Sequence, residues 1–304
     1  MSEAQPLSRI TLLDGGMGRE LMRMGAPFRQ PEWSALALMQ TPGLVKKAHE
    51  SFAAAGSDIL TTSNYAVVPA HIGEERFLTQ GAALTKRSGQ CANEIAALFN
   101  CRVAGSIPPL FGSYRPDLFI PERAPDILNI IIDALSPHID LWLVETVSSV
   151  AEAEAAARAL NNDDRPLWIS FTLLDSEHGE GHPPQLRSGE KVADAAAVAA
   201  ELGAAAVLFN CSQPETMAAA VFSAIQELRD RYADIEVGVY ANAFPAQQKD
   251  AQANLDLDEI REDLGPSDYA EFAAAWCRLG ATIIGGCCGI GPEHIAVLKK
   301  RYNP

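Results

Sequence analysis

The sequence predicts an α/β protein built as one (β/α)8 barrel of the TIM type, with residues 1–304 forming a single domain. Short apolar or β-branched runs ending in Gly, Asn or Ser recur eight times, and stretches with helical periodicity separate them. The runs are apolar throughout rather than alternating, so the strands are buried on both faces, as in a parallel sheet flanked by helices. A G-x-G-x-x-G fingerprint is absent after the first run, which disfavours an open doubly wound sheet. No Ser/Gly linker or composition break divides the chain.

In chain order the expected strands are RITLLDGG (9–16), DILTTSNY (58–65), RVAGSIPP (102–109), LWLVET (141–146), LWISFTLL (167–174), AAVLFNCS (205–212), EVGVYANA (236–243) and ATIIGGCC (281–288). Between them lie Ala- and Leu-rich helical stretches such as SSVAEAEAAARALN and KVADAAAVAAELG, the second ending in a glycine suited to a C-cap. Two connections exceed a tight turn: LFGSYRPDLFIPERAPD (110–126) and DSEHGEGHPPQLRSGE (175–190). Long loops after barrel strands carry lids and substrate contacts.

Composition narrows the class. The chain is 48% hydrophobic and 21% charged, as expected of a soluble globular protein. No apolar run reaches the roughly 18 residues of a membrane span, and MSEAQPLSRI lacks the features of a secretory signal. A cytoplasmic location follows as the expectation, and there six cysteines are free thiols, metal ligands or catalytic groups rather than a disulfide framework. The formal charge of −15, with no basic stripe, argues against a nucleic-acid partner. Oligomeric state is left open.

Barrel chemistry gathers at the C-terminal ends of the strands. Here the first strand ends in Asp14-Gly15-Gly16, the second in Ser63-Asn64-Tyr65 and the fourth in Glu145-Thr146. The sixth ends in Asn210-Cys211, the seventh in Asn242 and the eighth in Cys287-Cys288. Strands six and eight are separated by one strand, so Cys211 can meet the adjacent pair. Three thiolates around an open position suit Zn2+, which would deprotonate an incoming thiol and leave its sulfur nucleophilic. Neighbouring strand residues point to opposite faces, so both cysteines can face one ion only if the flanking glycines bend the strand. Pro292 then opens the next helix.

Other readings of these residues are blander. Cys91, Cys101 and Cys277 read as small packed hydrophobes, and Cys211 taken alone would too. A phosphate cradle in GGCCGIG leaves the thiols unexplained. A redox or zinc-storage protein using the vicinal pair requires a strained ring on oxidation, without a C-x-x-C motif. His178 and His182 sit four apart in a Gly/Pro loop rather than on a helix, and His294 reads as a first-turn helix residue.

Taken together, LLDGGMGREL (12–21), EWSALAL (32–38), AGSDILTTSNY (55–65), ET (145–146), LRSGE (186–190), FNC (209–211) and GGCCGIGPEHI (285–295) resemble the homocysteine S-methyltransferase family. The resemblance implies a barrel in which Cys211, Cys287 and Cys288 hold Zn2+ and the substrate thiolate takes the open position. It implies that Asp14 and Glu145 receive the amino group of homocysteine, and backbone N–H groups around Gly15 and Gly16 its carboxylate. Trp33 matches a family position near the methyl donor, with Tyr65, Phe111 and Tyr114 as further candidates for an aromatic wall. Asn64 and Asn242 complete the expected substrate-binding set.

A methyl donor carrying a positive sulfur or nitrogen fits aromatic faces. No extra folate or cobalamin domain and no C-terminal oligomerisation arm is expected, which places S-methylmethionine first. Betaine or S-adenosylmethionine as donor, and a selenol analogue as acceptor, are the alternatives. Where many sulfonium-using relatives carry YPN, this chain has YANAFPAQQ at 240–248, which keeps Asn242 but weakens the donor assignment.

Overall fold

In the computed structural model, which describes residues 9–175, 183–247 and 259–303, the eight expected runs become one parallel sheet. The strands are β1 (Thr11–Leu12), β2 (Ile59–Thr61), β3 (Arg102–Ile107), β4 (Leu141–Val147), β5 (Leu167–Phe171), β6 (Ala206–Asn210), β7 (Glu236–Tyr240) and β8 (Ile283–Ile284). Their order is β1-β8-β7-β6-β5-β4-β3-β2, and a parallel bridge between Leu13 and Ile59 joins β1 to β2. The barrel therefore closes. Asp58 reinforces the seam: its N–H donates to the Leu12 carbonyl at 2.7 Å while its Oδ2 accepts from the Leu12 N–H at 2.9 Å.

Helices cover the outside. The β1–β2 crossover holds α1 (Met17–Arg23), α2 (Ala35–Gln40) and α3 (Pro42–Ala55), and the next holds α4 (Pro69–Ile72) and α5 (Glu74–Phe99). One long helix follows each later strand: α6 (Ala124–Leu135), α7 (Val150–Ala159), α8 (Val192–Glu201), α9 (Pro214–Leu228), α10 (Pro266–Leu279) and α11 (Pro292–Tyr302). The glycine expected to end the eighth helix does so: Gly203 has φ +82° and its N–H bonds the Ala200 carbonyl at 3.0 Å. Among the described residues no helix is long and apolar enough to cross a membrane.

Strand alternation positions the site. Leu13, Ile59, Ala104, Leu141, Leu143, Trp168, Ala206, Leu208, Tyr240 and Ile283 form one buried cluster, with the larger cluster lying between strands and helices. Successive side chains alternate faces, so two residues beyond Ile59, Ala104, Leu143, Trp168 and Leu208 come Thr61, Ser106, Glu145, Ser170 and Asn210 on the same inner face. An apolar floor thus supports a polar layer at the C-terminal mouth. Regular strand is shorter than expected in β1 and β8, yet the backbone bonds continue. Gly286 N–H reaches the Asp14 carbonyl at 2.9 Å and Cys287 N–H the Ala241 carbonyl at 2.8 Å.

Candidate active site

Cys211, Cys287 and Cys288 converge as their spacing predicted. Their sulfurs all lie within 4.8 Å of one another, and Cys287 Sγ is 3.0 Å from Cys211 Sγ. A tetrahedral zinc ion with about 2.3 Å bonds sets its sulfurs roughly 3.8 Å apart, so this donor set fits one ion. The bend that aims the adjacent pair is a turn in which Ile290 N–H bonds the Cys287 carbonyl at 3.0 Å and Gly289 takes φ +85°. Gly286 serves close approach instead, since a Cβ there would lie 2.2 Å from Ile290 Cγ2. In the Cys211 thiol the bond from Cys287 acts downward, but the bond with Cys288 and burial outweigh it and the net shift is upward. For Cys287 the bond to Cys211 leads a strong upward shift. A cation is what would convert such a cluster to thiolates.

Asp14 and Glu145 stand in the same cavity. Asp14 Oδ2 accepts from the Thr61 N–H at 2.7 Å and Oδ1 from the Thr61 hydroxyl at 3.0 Å. Glu145 Oε1 accepts from the Ser106 hydroxyl. Burial pushes Asp14 up to about 7 against the lowering effect of the Thr61 bonds. Burial pushes Glu145 up to about 8, with the Ser106 bond opposing and the charge of Asp14 adding to the rise. Among the described residues neither acid forms an ion pair. Two buried carboxylates without a cation make a receptor for one.

The cavity, of about 150 Å³, is also lined by Gly15, Gly16, Trp33, Tyr65, Tyr114, Thr146, Tyr240 and Phe244. Trp33 and Tyr65 lie nearly parallel at 11° with centroids 6.5 Å apart, and His71 tilts against Trp33 at 5.2 Å. Burial leads a lowering of the His71 pKa, which favours the neutral ring. Trp33, Tyr114, Thr146 and Cys211 all hold positive φ, at 47°, 67°, 59° and 53°. Such backbone is sparsely populated by non-glycine residues and concentrates at functional sites.

Several expected contacts fall elsewhere. The Gly16 N–H donates to the Ile290 carbonyl at 2.8 Å, so this amide is not offered to a substrate carboxylate. What demands glycine at both positions is packing: a Cβ would meet Ile290 O at 2.3 Å from residue 15 and Cys287 O at 2.5 Å from residue 16. Asn64 does not line the cavity; its Nδ2 donates to the Ser106 carbonyl at 2.9 Å and its Oδ1 accepts from Thr62 at 2.7 Å. Asn242 also lies behind the wall, its Oδ1 accepting from the Phe244 N–H at 3.3 Å. It thereby folds the turn that brings the Phe244 ring into the cavity. Phe111 packs edge-on against Phe119 at 5.9 Å, outside the cavity lining.

Cys91, Cys101 and Cys277 are free thiols outside the sulfur cluster. His294 sits in the first turn of α11, its Nδ1 accepting from the Gly291 N–H at 3.2 Å. His178 and His182 lie outside the described residues.

The sequence reading missed Thr61, Ser106, Phe244 and a buried pair, Arg187 and Asp175. Arg187 Nη2 lies 3.2 Å from Asp175 Oδ2, both side chains almost wholly buried. The Arg187 guanidinium carbon sits 4.2 Å from the Tyr114 ring centroid, and the Tyr114 hydroxyl reaches Cys211 Sγ at 3.0 Å. Strand alternation could have found Thr61 and Ser106, and LRSGE already held the arginine.

A barrel mouth that combines three sulfurs, two carboxylates with no ion pair among the described residues and an aromatic wall defines a thiol-acting barrel enzyme. Comparison with known proteins narrows that class. The family model for homocysteine S-methyltransferase matches residues 11–302, and the chain belongs to that family. The homocysteine S-methyltransferase of Escherichia coli K12 is 29% identical, covering 99% of this chain and 100% of its own. The selenocysteine methyltransferase of Astragalus bisulcatus is 25% identical over 96% of this chain and 92% of its own. The metallated form of the E. coli homocysteine methyltransferase MmuM superposes with a TM-score of 0.77 at 29% identity, covering 97% of this chain and 96% of that one.

Proposed function

We propose that this enzyme transfers a methyl group from a small onium donor, S-methylmethionine first, to the sulfur of L-homocysteine, with Zn2+ held by Cys211, Cys287 and Cys288. The observation that carries the reading is three sulfurs within 4.8 Å of one another, lining one cavity with Asp14 and Glu145. Bound Zn2+ supplies Lewis acidity that keeps a substrate thiol deprotonated at neutral pH. Asp14 and Glu145 receive the substrate ammonium, whose charge offsets the cost of burying two carboxylates. Thr61 and Ser106 fix their orientation. The Trp33 and Tyr65 faces accept the onium charge of the donor. The homocysteine sulfur forms the new S–C bond as the donor's S–C bond breaks, its electron pair returning to the departing sulfur. Free thiols support a cytoplasmic location.

Purified protein should carry one zinc per chain and form methionine from homocysteine, fastest with S-methylmethionine in a panel with S-adenosylmethionine, betaine and methyltetrahydrofolate. Retention of both metal and activity in Cys288→Ser would overturn the zinc reading. Preference for betaine or S-adenosylmethionine would reassign the donor alone. A selenol acceptor is the second reading, favoured by the selenocysteine-methylating relative and by the softness of a sulfur-rich centre. Selenocysteine belongs in the same panel.

A further inference from the structure

We propose that Tyr114 is a positioning residue for the metal centre: its hydroxyl donates to the Cys211 sulfur and lowers that sulfur's electron density, while Arg187 holds the ring in place. The inference rests on the proposed metal site and concerns which of its sulfurs is nucleophilic. An enzyme that brings a reactive methyl group beside three sulfurs of its own must direct that group to a fourth. A thiolate that accepts an O–H bond shares its negative charge with the donor and attacks carbon more slowly.

The arrangement is built from distant parts of the chain. Tyr114 comes from the loop after β3 and reaches across the mouth to Cys211 just past β6, with its hydroxyl 3.0 Å from Sγ and 3.3 Å from the Cys211 carbonyl oxygen. It is buried and holds φ +67°, a conformation that costs a tyrosine about 1–3 kcal/mol. Packing alone would be served by phenylalanine; what the hydroxyl adds is its contacts with the Cys211 sulfur, the nearer of the two, and carbonyl. Arg187 lies over one face of the ring at 4.2 Å, so that face is closed to a donor cation, while Tyr114 still lines the cavity as expected.

Arg187 is itself anchored through Asp175, whose Oδ1 accepts from the Gln213 N–H at 2.9 Å and Oδ2 from the Gln247 N–H at 2.8 Å. Gln213 lies two residues beyond Cys211. Thr172 completes the frame, its hydroxyl donating to the Cys211 carbonyl at 3.4 Å and accepting from Arg187 Nε at 3.5 Å. The cysteine is therefore held from the loops after β3 and β5 at once.

The test is Tyr114→Phe in protein loaded with Co2+, which reports on sulfur through its thiolate-to-metal charge-transfer band. Removing the hydrogen bond raises the energy of the sulfur lone pair, so the band should move to longer wavelength. Metal loss to a chelator should quicken about tenfold. The metal-free variant should unfold within a few degrees of wild type, as the loss of one hydrogen bond allows, which separates the effect from general damage. Arg187→Lys keeps a cation on Asp175 but loses the planar cover, and should shift the band the same way by less; it carries the comparison if Tyr114→Phe fails to fold. An unmoved band overturns the proposal whatever happens to metal loss. Wild-type protein showing no charge-transfer band would instead overturn the metal site beneath it.

Discussion

Asp175 and Glu145 are both buried acids at the C-terminal end of the barrel, one just past β5 and the other within β4. Asp175 has Arg187 at 3.2 Å and two backbone amides, while Glu145 has the Ser106 hydroxyl and, like Asp14 in the same cavity, forms no ion pair among the described residues. Burial leads an upward shift in all of them. For Asp175 the guanidinium and amides oppose it, whereas Glu145 reaches about 8 and Asp14 about 7. The frame of the site supplies its own countercharge; in the proposed receptor that place falls to the ligand. The contrast separates what holds the barrel mouth together from what binds.

The largest expected effect falls on the frame. Arg187→Met leaves Asp175 buried without its cation and should cost about 3–5 kcal/mol of stability, read as a lower urea midpoint. A midpoint equal to wild type would dissolve the distinction. Glu145→Gln should do the reverse, leaving stability at pH 8 equal or higher while kcat/KM for homocysteine falls by the equivalent of about 2–5 kcal/mol, roughly 30- to 5000-fold. If the loss appeared in stability rather than turnover, Glu145 would belong to the frame.

The pH dependence is subtler. Both folded-state values lie above the ordinary ones, 3.8 for Asp14 and 4.5 for Glu145, so between about pH 4 and 8 the folded protein keeps protons the unfolded chain has released. Their contribution to stability is therefore greatest at the acid end, declines as pH rises through that window, and levels off above it. Urea unfolding of metal-free protein at pH 5 and pH 8 should show a decline that the Asp14→Asn, Glu145→Gln double variant flattens. Homocysteine binding near pH 7 should release protons in proportion, measurable by calorimetry in buffers of different ionisation enthalpy.

Much of the proposed receptor was legible in the sequence and less of the frame. Glu145 closes an otherwise apolar run, LWLVET, and such a residue at a barrel strand end has few structural uses. The vicinal cysteines among glycines carried their own geometric problem, and Gly289 alone supplies the positive φ that answers it. Arg187 was not legible as a buried group, because it and Asp175 stand 12 residues apart in a loop with no periodicity to show which side chains turn inward. The Gly16 amide and Asn64 misled for a related reason: residue type marks hydrogen-bonding capacity, and only the fold shows which neighbour has already taken it.

The central claim is that three protein sulfurs and the carboxylates of Asp14 and Glu145 form one receptor for an amino acid bearing a thiol. X-ray absorption at the zinc edge tests it most directly. Sulfur scatterers at about 2.3 Å should number three in the resting protein and four once homocysteine is added, with Glu145→Gln needing far more homocysteine to make the change. A count that stays at three when homocysteine saturates the protein would contradict the account.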